Sequence, residues 1–373
     1  MRVLFWSETF WPILGGAEIW GARMVTSLAA RGHEALVITR SEHRTMRLPP
    51  VDSYNGVPVH RFPIWEALAN PQAYNFGALR EEIAALRRAF APDLVHLNSV
   101  GPSSAVELWT RGRNRTPTVA TLHGSAHRSF PDSHLVRTVL QSVDWVVGVS
   151  DAILAEARAS VPSIGARSSV IHNGMDLPAL APTPLPTDPP TVLFLGRLSP
   201  QKGFDLGIEA YALLAKNHPR VRLLIAGDGS DRAALSARCQ ELGIGHRVEF
   251  LGWVAPDAVP DVINRATVVA LPSRWEPFGL VALEAAALAR PVVASRVDGL
   301  LETVVHGVTG LLVPPADVAA FASALATLLD DVERGTKMGL TARARVQSEF
   351  NWNRCVAAYE DLYLALRNGG RTC

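Results

Sequence analysis

The same order of strands and helices occurs twice in this sequence, on either side of one proline-rich segment. That segment, DLPALAPTPLPTDPPT (176–191), is expected to be a stiff linker, because proline cannot lie inside a helix or a central strand. The chain has 373 residues, which is too many for one typical core. We therefore expect two domains, residues 1–180 and 181–350, followed by a C-terminal segment, 351–373.

The first half begins with a pattern typical of a parallel sheet. A short apolar run (2–7) leads into a turn with two glycines, Gly15 and Gly16. Apolar residues at helical spacing follow (17–32), and then a second apolar run (34–40). Strand, helix and strand in this order predict a βαβ unit. Further strands are predicted at 57–62, 93–98, 117–124, 144–150 and 168–174.

The second half repeats the plan from residue 191. Strands are predicted at 191–196, 221–227, 248–253, 268–273 and 291–295, with helices at 204–217 and 232–243. The expected fold class is α/β, with two doubly wound, Rossmann-like domains facing a cleft. Ligands of such sheets bind at the carboxyl ends of the strands, so the cleft is the expected site. The segment GDGSDR (227–232) lacks the last glycine of the dinucleotide fingerprint, which disfavours an NAD enzyme.

Composition excludes several classes of function. The formal net charge is +1, which argues against nucleic acid as a partner. The cysteines, Cys239, Cys355 and Cys373, form no ligand cluster, so neither zinc nor a disulfide framework is indicated. The N-terminus lacks the pattern of a signal peptide, and no run approaches the ~18 apolar residues of a membrane span. The expectation is a cytoplasmic protein, and the strong preference for arginine over lysine suggests a bacterial source with GC-rich coding.

The turn RLSPQKG (197–203) carries two cations at the end of a predicted strand. Arg197 directly follows the strand and Lys202 precedes the next helix. A guanidinium can clamp phosphate oxygens in a bidentate way, and an ammonium adds a point charge. The pattern predicts an anion site, and the alternative is a solvated basic loop.

The segment EPFGLVALEA (276–285) predicts a turn and then a helix. Pro277 and Gly279 set the turn, and the helix is expected to start near Phe278. The first amides of a helix have no partner within it, so those of Gly279, Leu280 and Val281 are available to a phosphate or a sugar oxygen.

Two glutamates flank this helix start. Glu276 lies just before the helix and Glu284 about two turns inside it. An ionised carboxylate only accepts hydrogen bonds, so the natural partners of both are hydroxyls. A diphosphate with hydroxyl-rich groups on either side describes a nucleoside diphosphate sugar, with one glutamate on the sugar and the other on the ribose. The alternative is that Glu284 is a surface residue and Glu276 a cap.

RLSPQKG followed by EPFGLVALEA resembles the retaining, GT-B-fold glycosyltransferases of family 4 (glycosyl transferases group 1). The resemblance covers nearly the whole chain. It includes the turn at Gly15 and Gly16 and the segments TLHG (121–124), VIHNGMD (170–176), LLIAGDG (223–229) and FLGWV (250–254).

The resemblance implies a role for each candidate residue. Glu284 would bind the ribose, Arg197 and Lys202 the diphosphate, and Glu276 the donor sugar near the reacting face. The donor-binding set would also include Phe278, Gly279, Leu280 and Val281.

From the first domain, the resemblance implies that His123 reaches the sugar and that the Gly15–Gly16 turn approaches the phosphate. Many family members carry an acidic residue directly after this histidine, whereas this chain has Gly124, which leaves the acceptor-side chemistry open. The C-terminal helix (355–368) would cross back to the first domain.

The expected activity is transfer of a hexose-type sugar, with retention, from a nucleoside diphosphate sugar to a hydroxyl-bearing acceptor, with UDP favoured over GDP. The sequence has no D-x-D pair to hold a divalent ion, so catalysis without metal or other cofactor is expected, with His123, Glu276, Arg197 and Lys202 as the catalytic set. The acceptor is expected on the first domain, near the irregular segments 41–56 and 63–77.

Several alternatives stay open at this point. One is a nucleotide-sugar 2-epimerase of the same fold, another a sugar phosphorylase, and a third a non-catalytic nucleotide-sugar-binding module. The basic run RGRNR (111–115) is either a contact with an anionic membrane surface, at the inner face, or a solvated loop.

Overall fold

The computed structural model describes residues 1–13, 15–41, 48–70, 75–112, 116–125, 128 and 133–369. Contacts divide the chain into two compact units. Unit 1 comprises Met1–His172 and Cys355–Cys373, and unit 2 comprises Asn173–Arg354. The sequence places the corresponding boundaries at residues 180 and 351, and the structure places them after residues 172 and 354.

Unit 1 contains an eight-stranded sheet in the order β3-β4-β2-β1-β5-β6-β7-β8. Every pairing is parallel except that of β3 with β4. The strands are β1 (Arg2–Ser7), β2 (Glu34–Arg40), β3 (Val51–Tyr54), β4 (Val57–Phe62), β5 (Leu94–Leu97), β6 (Thr118–Leu122), β7 (Trp145–Gly148) and β8 (Ser168–Val170). The helices are α1 (Gly16–Ala30), α2 (Ile64–Ala69), α3 (Phe76–Phe90), α4 (Pro102–Trp109), α5 (His134–Ser142) and α6 (Asp151–Ser160).

The central strands of unit 1 are apolar along their length because helices cover both faces of a parallel sheet. In β1 the residues Val3 to Trp6 are fully buried, and the strand pairs with β2 in the register Arg2 to Glu34. Helix α1 joins these two strands, as the predicted βαβ unit requires.

Two segments predicted to be irregular contain regular structure. Within 41–56, β3 forms a hairpin with β4 through Asn55 and Gly56, both with positive φ (48° and 83°). Asn-Gly favours this two-residue turn, and the sequence interpretation missed that signal. Within 63–77 lie helix α2 and the start of α3. Residues 42–47 and 71–74 of these segments lie outside the described residues.

Unit 2 contains a six-stranded sheet in the order β11-β10-β9-β12-β13-β14, with every pairing parallel. The strands are β9 (Thr191–Leu195), β10 (Arg222–Ala226), β11 (Val248–Gly252), β12 (Val268–Leu271), β13 (Val292–Ser295) and β14 (Gly310–Val313). The helices are α7 (Phe204–Asn217), α8 (Arg232–Glu241), α9 (Val259–Asn264), α10 (Leu280–Ala287), α11 (Leu300–Thr303), α12 (Val318–Asp330) and α13 (Val332–Glu349). The edge strand β14 was not predicted.

The proline-rich linker is held on unit 2 by hydrogen bonds. Arg290, which is almost fully buried, donates to the carbonyl oxygen of Thr183 at 2.8 Å and to its Oγ1 at 2.7 Å. The hydroxyl of Thr267 donates to the carbonyl oxygen of Pro186 at 2.5 Å. The linker is therefore packed against a domain rather than free.

The last helix, α14 (Trp352–Arg367), belongs to unit 1 from Cys355 onwards. Its Tyr359 and Tyr363 are fully buried. His96, also fully buried, is hydrogen-bonded to the hydroxyl of Tyr363 (2.5 Å) and to that of Thr121 (2.8 Å). A polar network therefore joins the terminal helix to the sheet of unit 1.

Two sequence-based expectations can be checked directly. None of the helices in the described part of the chain combines the length and the hydropathy that a membrane span needs. In the basic run 111–115, Arg111 pairs with the buried Glu107 at 2.9 Å, so it supports the interior of unit 1, and residues 113–115 lie outside the described residues.

Candidate active site

The two predicted cations lie on the connection from β9 to α7. Residues Pro200–Lys202 form a 3-10 turn that ends at Gly203 with φ of 62°. A Cβ at Gly203 would lie 2.1 Å from the carbonyl oxygen of Pro272. Glycine is therefore required both by the left-handed conformation and by the close approach of the chain that follows β12.

That close approach brings Lys202 to Glu276. The ammonium nitrogen of Lys202 lies 2.5 Å from Oε2 of Glu276, although the two residues are 74 positions apart. Ser273 donates a weaker hydrogen bond to the same oxygen at 3.4 Å, and the Glu276 amide donates to Asp298 at 3.1 Å. Glu276 is 8% exposed, so its carboxylate is held in a fixed place by an opposite charge.

A second ion pair fastens the same two segments together. Arg274 donates to both carboxylate oxygens of Asp205, at 2.8 and 2.6 Å, and to the carbonyl oxygen of Pro200 at 2.9 Å. The Arg274 hydrogen bond lowers the pKa of Asp205. This bidentate contact holds the turn with Lys202 against the loop that carries Glu276.

Arg197 is exposed and forms no hydrogen bond or ion pair with any residue that the structure describes. An added Cβ at Gly196 would lie 3.5 Å from Cε of Lys202, so the lysine side chain passes beside the residue that precedes Arg197. The two cations thus belong to one turn, with one paired to Glu276 and the other open to solvent.

Helix α10 begins at Leu280, two residues later than the predicted start near Phe278. Gly279 has φ of 97°, a backbone conformation that residues other than glycine rarely adopt. Because this conformation is not helical, the helix begins only at the next residue. Among the described residues, the amides of Gly279, Leu280 and Val281 donate no hydrogen bond to another group. The predicted row of available amides is therefore present at this helix start.

The side chain of Phe278 is 2% exposed and contacts the ring of Phe350 edge to face, with centroids 5.9 Å apart. It is part of the interior of unit 2. A donor contact at this position would have to use the backbone.

Glu284 is half-buried in the second turn of α10, and it forms no hydrogen bond to another residue in the described ranges. Burial raises the pKa of Glu284, and the nearby charge of Lys202 acts in the opposite direction. A surface position for Glu284 is therefore wrong. A half-buried carboxylate without a partner is costly unless a ligand supplies the missing donors.

The candidate residues of unit 1 form an uncharged network. Nε2 of His123 lies 2.9 Å from Oδ1 of Asn98, whose amide nitrogen donates to the carbonyl oxygen of Ala17 at 3.0 Å. With the amide oxygen facing the histidine, Nε2 carries the proton and Nδ1 is an acceptor. Burial lowers the pKa of His123 to about 3. The indole of Trp20 packs against the imidazole, with ring centroids 4.8 Å apart.

The glycine turn of unit 1 lies where helix α1 begins. Gly15 caps the helix and Gly16 is its first residue, so the Gly16 amide has no partner within the helix. Gly124 follows His123 and is half-buried. The predicted contacts of His123 and of the glycine turn with the donor stay predictions.

Comparison with known proteins agrees with this geometry. The Glycosyltransferase Family 4 model matches residues 14–178, and the Glycosyl transferases group 1 model matches residues 179–345. The glycogen synthase of Mycobacterium tuberculosis is 30% identical, over 100% of this chain and 96% of that protein. The D-inositol 3-phosphate glycosyltransferase of Kineococcus radiotolerans is 32% identical, over 94% of this chain and 90% of that protein.

Solved structures show the same architecture. The sucrose-phosphate synthase of Thermosynechococcus elongatus superposes with a TM-score of 0.83 at 26% identity, over 99% of this chain and 100% of that one. The Anabaena protein HepE, in complex with UDP and glucose, gives 0.78 at 24% identity, over 98% of this chain and 100% of that one. Fold and site define a GT-B glycosyltransferase with two Rossmann-like domains. The chain belongs to the group 1, family 4 glycosyltransferases.

The sequence interpretation missed three residues that shape the site. Asp298 and Ser273 contact Glu276 directly, and Arg274 holds the turn of Lys202 through Asp205 and the carbonyl oxygen of Pro200. The serine and the arginine precede Glu276 within the segment SRWEPFG, so a closer reading of that loop could have found them. Asp298 comes from the loop after β13, and no local signal points to it.

Proposed function

We propose that this glycosyltransferase moves a hexose-type sugar from a nucleoside diphosphate sugar to a hydroxyl-bearing acceptor, with retention at the anomeric carbon. The observation that carries the proposal is the arrangement at the carboxyl edge of the unit 2 sheet. There a paired cation, Lys202, lies beside two carboxylates, Glu276 and Glu284, and an open helix start.

The diphosphate is assigned to Arg197, Lys202 and the first amides of α10. Arg197 is exposed and without a described partner, and the amides of Leu280 and Val281 are available. The positive end of the helix dipole adds to the attraction for an anion. Charge, free donors and an accessible position together support a phosphate-binding role.

The glutamates are assigned to hydroxyls on either side of the diphosphate. Glu284 lacks a hydrogen-bond donor among the described residues, and ribose hydroxyls would supply one. Glu276 already accepts from Lys202, and its proposed ligand is the donor sugar. The donor would therefore complete the hydrogen bonding of a site that is unsatisfied without it.

UDP is the favoured nucleotide and a glucose-type hexose the favoured sugar. Support comes from the HepE structure with UDP and glucose and from relatives named for glycogen synthesis and glycosyl transfer to inositol phosphate. The acceptor is assigned to unit 1.

Chemistry at this site would depend on stabilising the leaving group. As the glycosidic bond breaks, negative charge accumulates on the departing phosphate oxygen, and Arg197, Lys202 and the α10 amides are proposed to stabilise it. The departing oxygen can take the proton of the acceptor hydroxyl on the same face, which gives retention. No D-x-D pair occurs in the sequence, so the cations are proposed to act without a metal.

A donor panel tests the proposal. Purified protein is incubated with UDP-, GDP- and ADP-linked hexoses, with and without sugar acceptors, and free nucleotide is measured with and without EDTA. We expect release of nucleotide from a UDP-hexose that acceptors accelerate and that chelation leaves unchanged. Loss of activity on chelation, restored by magnesium or manganese, would contradict metal independence.

The same panel separates the alternatives. Release of nucleotide without an acceptor-derived product, together with an epimerised sugar, would indicate a 2-epimerase. Donor binding without turnover of any donor would indicate a non-catalytic binding module.

A further inference from the structure

Unit 1 contains a pocket of about 290 Å³ at the carboxyl edge of its own sheet. Its lining includes Ser7 and Arg40, the last residues of β1 and β2, and Leu122, the last residue of β6. His123 also lines it. This edge is where doubly wound sheets bind ligands, and about 300 Å³ is the lower end of the usual size of small-molecule sites.

Glu8 is the best-anchored polar group of the pocket. Its Oε1 accepts from the amides of Ser103 (2.9 Å) and Ser104 (3.3 Å) at the start of α4, and its Oε2 accepts from Nε1 of Trp65 at 3.2 Å. Burial raises the pKa of Glu8, and these donors oppose the rise. As a carboxylate this group accepts hydrogen bonds and repels an anion.

Glu18 adds a second carboxylate to the lining. It lies in the first turn of α1, and it accepts a hydrogen bond from the hydroxyl of Thr9, another residue of the pocket. Hydroxyls and carboxylates therefore outnumber the other polar groups of the lining that the structure describes.

One described cation lines the pocket, and it is already engaged. The guanidinium of Arg40 lies 4.8 Å from the ring centroid of Trp65, as a cation–π contact, and its Nε is buried without a hydrogen-bond partner. His123 is neutral, so it adds no positive charge. The described lining carries two carboxylates against one guanidinium.

We propose that this pocket binds an uncharged sugar unit of the acceptor, and that it selects against a phosphate at that position. Sugar hydroxyls can donate to Glu8 and Glu18, while the indole of Trp65, 38% exposed, offers an apolar surface beside them. A phosphate would meet two carboxylates. The inference rests on the proposed function, because it names the acceptor class of that reaction.

Matched acceptor pairs test the inference. The pairs are glucose and glucose 6-phosphate, maltose and maltose 1-phosphate, and myo-inositol and its 1-phosphate, each assayed with the donor that the panel identifies. We expect the neutral member of the preferred pair to have a kcat/KM at least about tenfold higher, because like charges across a binding surface discriminate strongly.

Variants of the pocket residues test whether the pocket causes the preference for the neutral acceptor. Glu18→Gln should narrow the preference by raising kcat/KM for the phosphorylated member, and Trp65→Phe, which removes the donor to Glu8, should raise KM for the neutral member. The matched controls are Glu81→Gln and Trp109→Phe, both at exposed positions of unit 1. Neither control should change the preference.

Two results would overturn the inference. One is a preference for the phosphorylated members that Arg40→Gln abolishes, which would make the pocket an anion site. The other is release of nucleotide that neither member of any pair accelerates. Failure of the proposed function would be distinguishable from both results, because the donor panel would reveal it earlier, as absence of nucleotide release from every donor or as an epimerised sugar without a transfer product.

Discussion

The two sheets share a parallel core with the same strand order, yet the groups at their carboxyl edges differ. In unit 2 the edge carries Arg197 and the ion pair of Lys202 with Glu276. In unit 1 it carries a neutral histidine, His123, hydrogen-bonded to the amide of Asn98, with two carboxylates, Glu8 and Glu18, against one guanidinium in the same lining. The strands fix where a ligand can bind, and the loops that follow them decide whether an anion or a hydroxyl is bound.

The two edges also differ in solvent access. Arg197 is exposed, and the Lys202 side chain is 18% exposed and paired with Glu276. His123 lies against Trp20 and Asn98 and is half-buried, and this burial disfavours the protonated form and lowers its pKa. The comparison is tested by altering the charged groups of unit 2 and a buried, neutral histidine of unit 1.

The largest effect is expected from removing a cation of unit 2. Lys202→Ala and Arg197→Ala should each lower the single-turnover rate at saturating donor by on the order of 10²–10³, because leaving-group charge grows in the transition state. Arg197→Lys should not restore the rate, since an ammonium lacks the planar fork. The measurement is the single-turnover rate beside donor affinity for each variant.

Arg220→Ala is a suitable control, because Arg220 is an exposed arginine of unit 2 that pairs with Asp188. If the Lys202 and Arg197 variants need a higher donor concentration yet reach the wild-type rate at saturation, both cations contribute to donor binding alone. The leaving-group role would then be wrong.

The next effect concerns the other member of the ion pair. Glu276→Gln should lower turnover by about a hundredfold, a loss typical of removing one preorganised group, while free UDP binds as tightly or more tightly. Tighter binding is expected because Lys202 loses its 2.5 Å partner and becomes available to the diphosphate. Calorimetric titration with UDP and single-turnover assays measure the two quantities, with Glu249→Gln at an exposed position as the control.

A variant of Glu276 that loses affinity for UDP but keeps its turnover would reverse the roles of the two glutamates. Glu284 would then be the better candidate for binding the donor sugar.

Residue types and local spacing were enough to predict most of the strands and the turn that carries Arg197 and Lys202. Buried parallel strands are continuous apolar runs, so β9 and β12 were visible in the sequence, and Arg197 and Lys202 follow β9 directly. The polar edge strand β3 was not visible, because half of its residues face solvent. Its Asn-Gly turn was the signal to use.

Contacts between distant segments could not be predicted. Lys202 and Glu276 were assigned separate ligands, and the structure pairs them because glycine at 203 lets two loops touch. Phe278 was assigned to the donor on its position in the motif, and its side chain is buried against Phe350. Sequence spacing gives the order of groups along a loop, whereas packing decides which way each group points.

A smaller effect is expected at Glu284. Glu284→Ala should weaken binding of free UDP by roughly ten- to hundredfold, since a hydrogen bond to a charged group contributes about 1.5–3 kcal/mol. The loss should be the same for UDP and for the UDP-sugar, because the proposed ribose contact is common to both. If wild type and variant bound UDP with equal affinity, the assignment of Glu284 to the ribose would be wrong. The half-buried carboxylate would then have no assigned ligand.

The smallest effect is expected from the neutral histidines of unit 1 and concerns the pH dependence of stability. Burial lowers the pKa of His96, and that of His123, to about 3. Both histidines take up a proton near pH 6.5 when the chain is unfolded, but neither does so in the folded state until the pH is near 3. Between these values the unfolded chain binds more protons, so the free energy of unfolding falls as the pH falls. Above pH 6.5 neither histidine affects the pH dependence.

For the fully buried His96 the slope should be about 1.4 kcal/mol per pH unit within that window. His96→Gln should lower the free energy of unfolding at neutral pH, because the bonds to Tyr363 and Thr121 are disturbed. It should also make the decline of that free energy shallower by this slope between pH 6 and pH 4.5, about the middle of the window. Urea denaturation at several pH values measures both effects, with His134→Gln on the exposed surface of α5 as the control. A decline as steep in His96→Gln as in the wild type would show that the acid sensitivity arises elsewhere. The hydrogen bonds between His96 and the terminal helix would then stabilise unit 1 without making its stability depend on pH.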